Sequence, residues 1–169
     1  KDTTIYANEI TYFKNDEKFF TKGKTKALIE KKYKFNSENV SYFRNSEDIS
    51  SPKKSSLEDE SGNVYKLDSF SYNINKELLK GKNVTVLTKV EENQIDQYFF
   101  SEGFFNFKDK SHIAKETKIK IHKDVFGDEN QDPRIYGSSS LSDQNTTIVN
   151  NGIFTSCKIN DDCPPWSIK

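Results

Sequence analysis

Two histidines, two cysteines and a wealth of carboxylates are the residues that could do chemistry in this 169-residue chain. His112 and His122 each sit in strand-like text thick with lysine, and no nucleophile-elbow phrase stands near either. A hydrolytic triad needs an imidazole beside a Ser or Cys nucleophile, so both histidines are expected to be surface residues. His112, His122, Cys157 and Cys163 would make four metal ligands, but their spacing matches no zinc pattern. No metal, cofactor or catalytic residue is therefore expected. Glu58-Asp59-Glu60 and Glu91-Glu92 fall in turns, where charge runs are usually solvated. Asn83-Val84-Thr85 and Asn145-Thr146-Thr147 match a glycosylation sequon by pattern alone. Cys157 and Cys163 flank a loop rich in Asp, Asn and Pro, which favours an oxidising compartment and a disulfide over a metal site.

The elements that must carry these residues are strands. Ala, the best helix former, occurs only at positions 7, 27 and 114, and few stretches show a helical apolar period. Short alternating Val/Ile/Phe/Tyr/Thr segments run throughout, separated by polar punctuation. Turns are legible at Asn15-Asp16-Glu17-Lys18, Glu60-Ser61-Gly62-Asn63, Glu91-Glu92-Asn93-Gln94 and from Gly127 to Pro133. The stretch Ser50 to Glu60 (SSPKKSSLEDE) reads as a mobile loop with no core-facing stripe. The chain reads as one all-β domain over residues 1–169.

Its distinctive feature is internal repetition. Ala7-x-x-Ile10-x-Tyr12, Ser37-x-x-Val40-x-Tyr42 and Leu67-x-x-Phe70-x-Tyr72 share one pattern at a spacing of thirty, and Ala114-x-x-Thr117-x-Ile119 is a weaker copy. Phe19-Phe20-x-x-Gly23 recurs as Phe99-Phe100-x-x-Gly103 and loosely as Leu78-Leu79-x-Gly81, followed by Val84-x-Val86. Such periods mean stacked units that bury their faces against neighbours. Within a copy, positions 5 and 7 share a face, then 10 and 12 do, so each strand changes parity at a bulge or corner. Bent strands, stacked, make a folded-over sheet with an apolar inner crease. By periodicity alone these stripes are an ordinary core.

Composition limits the partners. The 26 basic residues balance 26 acidic ones, and Arg44 and Arg134 are the only arginines, which argues against nucleic acid. Mean hydropathy is −0.87, yet 13 Phe, 8 Tyr and one Trp exceed what a disordered chain carries. No apolar run approaches the ~18 residues of a membrane helix. Starting at Lys1 without Met and ending in strand-like text, the chain reads as a piece of something longer.

The phrase Gly152-x-Phe154-Thr155-Ser156-Cys157, then Cys163-Pro164-Pro165-Trp166-x-Ile168-Lys169, resembles the N-terminal periplasmic domain of the lipopolysaccharide-assembly outer-membrane family LptD, also called OstA, in its alphaproteobacterial form. The repeats resemble the strand repeat that LptD shares with LptA and LptC. The resemblance implies a β-jellyroll of the "taco" type on the periplasmic face of the Gram-negative outer membrane. Its interior would hold lipid A acyl chains along Ile5, Ala7, Ile10, Tyr12, Phe35, Val40, Tyr42, Leu67, Phe70, Tyr72, Val84 and Val86. An LptA-type bridge protein would dock at the N-terminal edge, on Thr3, Thr4, Ile5 and Thr11. The chain's own C-terminal barrel and its plug lipoprotein would be further partners. In the family, Cys157 aligns with a cysteine that pairs with the barrel; pairing of Cys157 with Cys163 is the alternative. Other readings are a free-standing LptA-type bridge protein, or a solid-core structural β-solenoid or adhesin.

Overall fold

A computed structural model describes residues 2–88, 94–127 and 131–158. Among them are fourteen strands: β1 (Thr3–Phe13), β2 (Lys18–Ile29), β3 (Tyr33–Glu38), β4 (Ser41–Phe43), β5 (Asp48–Ser51), β6 (Ser55–Glu58), β7 (Val64–Leu67), β8 (Ser69–Asn73), β9 (Leu78–Thr88), β10 (Asp96–Asn106), β11 (Ser111–Lys120), β12 (Arg134–Ser142), β13 (Thr147–Asn150) and β14 (Ile153–Thr155). A short 3-10 turn follows β11 at Lys123–Phe126. The fold is all-β, a folded-over β-jellyroll.

Its logic is a stack of antiparallel rungs, each bent once. Long strands span both sides of the bend, whereas shorter ones split there into pairs. One edge of β2 carries β3 along Lys24–Ile29 and β4 along Lys18–Phe20. One edge of β9 likewise carries β7 along Thr85–Leu87 and β8 along Leu78–Lys82. The pairing path β9-β7-β6-β3-β2-β4-β5-β8 therefore returns to β9, closing an antiparallel ring of eight strands. β1 extends this body at one end; β10, β11, β12 and the β13/β14 pair extend it at the other. Two arms result. The first contains β3, β6, β7 and β14; the second contains β4, β5, β8 and β13.

The bends coincide with the parity breaks in the repeats. On β1 the register slips between Ala7 and Glu9. Left-handed backbone marks the corners at Gly23, Asn39, Asn83, Glu116 and Asn151, and Gly and Asn are the residues that tolerate it best. Neighbouring corners clip together: the Gly23 N–H donates to Asn39 Oδ1 at 2.8 Å, and Asn83 Nδ2 donates to Asp68 Oδ2 at 2.8 Å. Inward residues then run Tyr33, Phe35, Ser37 before one corner and Val40, Tyr42 after it. The same holds for Tyr65, Leu67 and then Phe70, Tyr72.

Two expectations are corrected. Ser50 to Glu60 is not a loop without a core stripe: it forms the end of β5, a corner and β6, with Ser51, Ser55 and Leu57 buried. The fold line itself is not apolar either. Small and hydroxyl-bearing side chains occupy it, including Thr21, Thr25, Ser37, Ser51, Ser55, Thr117 and Ser140. The arms converge there and leave little volume, and the interrupted ladder exposes backbone groups that hydroxyls satisfy. Thr21 Oγ1 accepts from the Val40 N–H at 2.9 Å, Ser51 Oγ donates to the Glu38 carbonyl at 2.6 Å, and Ser37 and Ser55 bond each other at 2.8 Å. The large apolar residues sit farther out, between the arms.

Candidate binding interior

The space between the arms has three zones. In the middle it is full. Phe35 on β3 stacks on Phe70 of β8 at 5.2 Å, although these strands belong to different arms and do not pair. Tyr72 meets both Phe35 and Tyr33, and Tyr65 packs edge-on to Phe105. Ile29, Ile49, Leu57 and Leu79 complete a single buried cluster. Burial, Glu77 and its hydrogen bond push the Tyr33 hydroxyl far above the usual tyrosine range, and it donates to Glu77 Oε2 at 2.9 Å. Burial likewise raises Tyr65, followed by the charge of Asp59, whose carboxylate also caps the Glu60–Asn63 turn. These hydroxyls are neutral donors throughout the ordinary pH range.

At the N-terminal end the arms separate. Ile5, Ile10, Phe19, Thr21, Val40 and Tyr42, with Thr3, surround a cavity of about 250 Å³. Nothing closes it from outside, because β1 pairs with β2 alone and its other edge has no partner strand among the described residues. Tyr12 stacks on Phe19 at 4.4 Å beside it, and Phe19 continues to Tyr42 at 6.1 Å. Burial, then the charge of Glu47, raises the Tyr42 hydroxyl. The lining is apolar with a few hydroxyls and no formal charge.

At the other end the interior becomes more polar. His112 lies against Phe100 and Phe105, and with Thr88, Ser142 and Thr147 it borders a cavity of about 170 Å³. Burial lowers the His112 pKa and favours the neutral ring. Its Nε2 is 3.4 Å from Ser140 Oγ, to which Thr117 Oγ1 donates at 2.8 Å. Ser140 is fully enclosed, so it has no route to a substrate carbonyl. His122 is also not a surface residue: its Nδ1 lies 2.8 Å from Asp96 Oδ1, and the same oxygen accepts its backbone N–H at 2.9 Å. Packing against Phe100 and Phe105 at His112, and the Asp96 clip at His122, overrule the sequence expectation for the two histidines. Among the described residues no three acidic, His or Cys side chains converge as a metal site.

Of the residues expected to line a groove, Ile5, Ile10, Val40 and Tyr42 surround the open cavity and Tyr12 stacks at its margin, with Ile10 and Tyr12 exposed. Ala7 is half-buried at the β1 corner. Phe35, Leu67, Phe70, Tyr72, Val84 and Val86 are buried in the packed cluster, and of these Val86 also borders the cavity beside His112 and Leu67 a pocket with Ser37 and Ser55. Thr3, Thr4, Ile5 and Thr11 all lie on β1, with Thr11 exposed and the other three half-buried. The lining role of Phe19 went unassigned in the sequence, though its place two positions before Thr21 and four before the Gly23 corner sets it inward. Cys157 is half of a disulfide, and its carbonyl accepts from Arg134. Cys163, the Trp166–Ile168 segment and the Glu91–Asn93 turn lie outside the described residues.

The chain matches no family model, and no curated protein matches it.

Proposed function

We propose that the chain is a non-catalytic lipid-handling module that takes acyl chains of lipopolysaccharide into its N-terminal mouth and passes them toward an outer-membrane barrel. The observation that carries this reading is the apolar, uncharged cavity placed directly inside an eleven-residue strand that pairs with β2 on one edge and has no partner strand on the other among the described residues. Acyl chains need an apolar surface without specific polar demands, and an open β1 edge is a template for a strand from a bridge protein of the LptA type. The oxidised Cys157 supports an oxidising compartment such as the periplasm. Onward passage requires the arms to part where Phe35 meets Phe70.

The test uses neighbouring positions on one strand that face opposite ways. A photo-crosslinking residue at Ile10, facing the cavity, should capture lipopolysaccharide, and one at Thr11 should not. Equal labelling, or none, rejects the reading. Separate Thr4→Pro and Thr11→Pro variants should include at least one that weakens bridge-protein binding, since proline removes an edge donor; unchanged binding by both rejects the docking edge. A second reading, a structural stack with a solid core, rests on the packed middle zone. It is favoured if lipid extraction of purified protein yields no acyl chains and Ile10 captures nothing.

A further inference from the structure

The outer face of the second arm changes character along its length. One cross-strand row runs Thr11, Phe20, Ser41, Ser50, Ser71, Lys80, Phe104, Ile113, Leu141, Ile148, each directly opposite the next. Over the middle rungs it is serine. Over β10 to β13 it becomes four apolar side chains in succession. Phe104, Ile113, Leu141 and Ile148 are 41%, 60%, 48% and 54% exposed, although their chain neighbours Phe105, Ala114 and Ser140 point inward and are buried. An isolated exposed apolar residue is unremarkable, but a contiguous stripe on a folded sheet marks an interaction surface.

Charge identifies the occupant. Lys80 closes the stripe, with Nζ 5.0 Å from the Phe104 ring centre. The adjacent row reads Lys82, Glu102, Lys115, Ser139, Asn150. Glu102, the single acid in these rows from β9 to β13, is already flanked by Lys80 at 3.5 Å and Lys115 at 3.7 Å. The face therefore couples an apolar stripe to a net positive border. We propose that it docks on an anionic lipid bilayer, with Phe104, Ile113, Leu141 and Ile148 entering the headgroup region and Lys80, Lys82 and Lys115 meeting lipid phosphates. Lysine stems can lie along the apolar surface while their ammonium groups reach the anions, and binding grows with both apolar area and surface charge. A second copy laid face to face would gather the lysines of both copies around one contact, with a single acid on each to offset them. This surface lies outside the arms, and its role does not depend on what the interior carries.

The experiment is co-sedimentation of the whole chain with vesicles of equimolar phosphatidylcholine and phosphatidylglycerol, and with phosphatidylcholine alone. Binding should require the anionic lipid and weaken with added salt. Ile113→Ser with Leu141→Ser should weaken it about tenfold or more, as loss of inserted apolar area demands. Both side chains point to solvent, so the melting temperature should be kept, and Phe20→Ser, in the same row at the far end, should leave vesicle binding unchanged. Lys80→Gln with Lys115→Gln should abolish the preference for anionic vesicles. Failure to bind either vesicle overturns the proposal, as does binding indifferent to Ile113 and Leu141. Concentration-dependent dimerisation that Ile113→Ser and Leu141→Ser abolish, without vesicle binding, assigns the face to a second copy instead.

Discussion

Tyr72 is fully buried between the arms, and its hydroxyl is the one described buried side-chain polar atom without a hydrogen-bond partner. An unmet buried donor carries its whole desolvation cost. Tyr72→Phe keeps the ring contacts with Phe35 and Tyr33 and removes that cost, so it should stabilise the fold by about 1–3 kcal/mol in urea unfolding. A loss of stability would mean that the hydroxyl makes a favourable contact. His112 supplies a pH dependence of known sign. Its pKa falls below 6.5 on folding because burial disfavours the imidazolium, so the unfolded chain binds the proton more readily. Stability contributed at neutral pH is therefore lost as pH falls below about 6.5, down to the depressed folded value. His112→Asn should flatten the stability curve in that window; an unchanged slope would show that the ring is solvated.

At the scale of the element, the corners decide whether a rung can fold over, and they do so in two ways. A Cβ at Gly81 would overlap the Leu67 side chain and stand 2.9 Å from Val84 Cγ2. Gly23 has open space around it but a φ of +76°. Gly81→Ala should therefore cost about 1–3 kcal/mol through overpacking, and much less when Leu67→Ala is already present. Gly23→Ala should cost about 1–2 kcal/mol through its left-handed backbone, with no relief from Leu67→Ala and partial relief when Asn replaces Ala. Coupling energies from the paired variants separate these causes. Equal coupling at both sites would contradict the assignment.

The whole molecule is a one-dimensional stack in which the rungs pair only with their neighbours. In such arrays stability sums over adjacent interfaces, and ends open before the middle. Native-state hydrogen exchange should find β1 and β13 least protected and β7, β8 and β9, which share the packed zone, most protected. Uniform protection across the stack would show a globally cooperative barrel. An early-opening β1 also suits the proposed docking edge, since an incoming strand would complete the last rung.

Strand content and the bend were readable because both are local. The i, i+3, i+5 spacing at Ala7, Ser37, Leu67 and Ala114 records a parity change that only a bulge or corner satisfies, and the backbone bends at each. Copies such as Phe100-x-x-Gly103-x-Phe105 were harder to see because a glycine stands where Ile10, Val40 and Phe70 mark the three clear copies. Three features were decided by tertiary structure. Whether the interior is open depends on volumes facing across unpaired arms: Phe35 and Phe70 fill the middle, whereas Ile5 and Ile10 leave space at the mouth. The buried serines of β5 and β6 looked like loop chemistry because their hydroxyls are satisfied by corners distant in sequence. The outer stripe from Phe104 to Ile148 exists only in register, since its four residues lie on four strands. Local spacing can dictate how each strand bends, but contact between residues far apart in the chain is fixed only when the strands are set side by side.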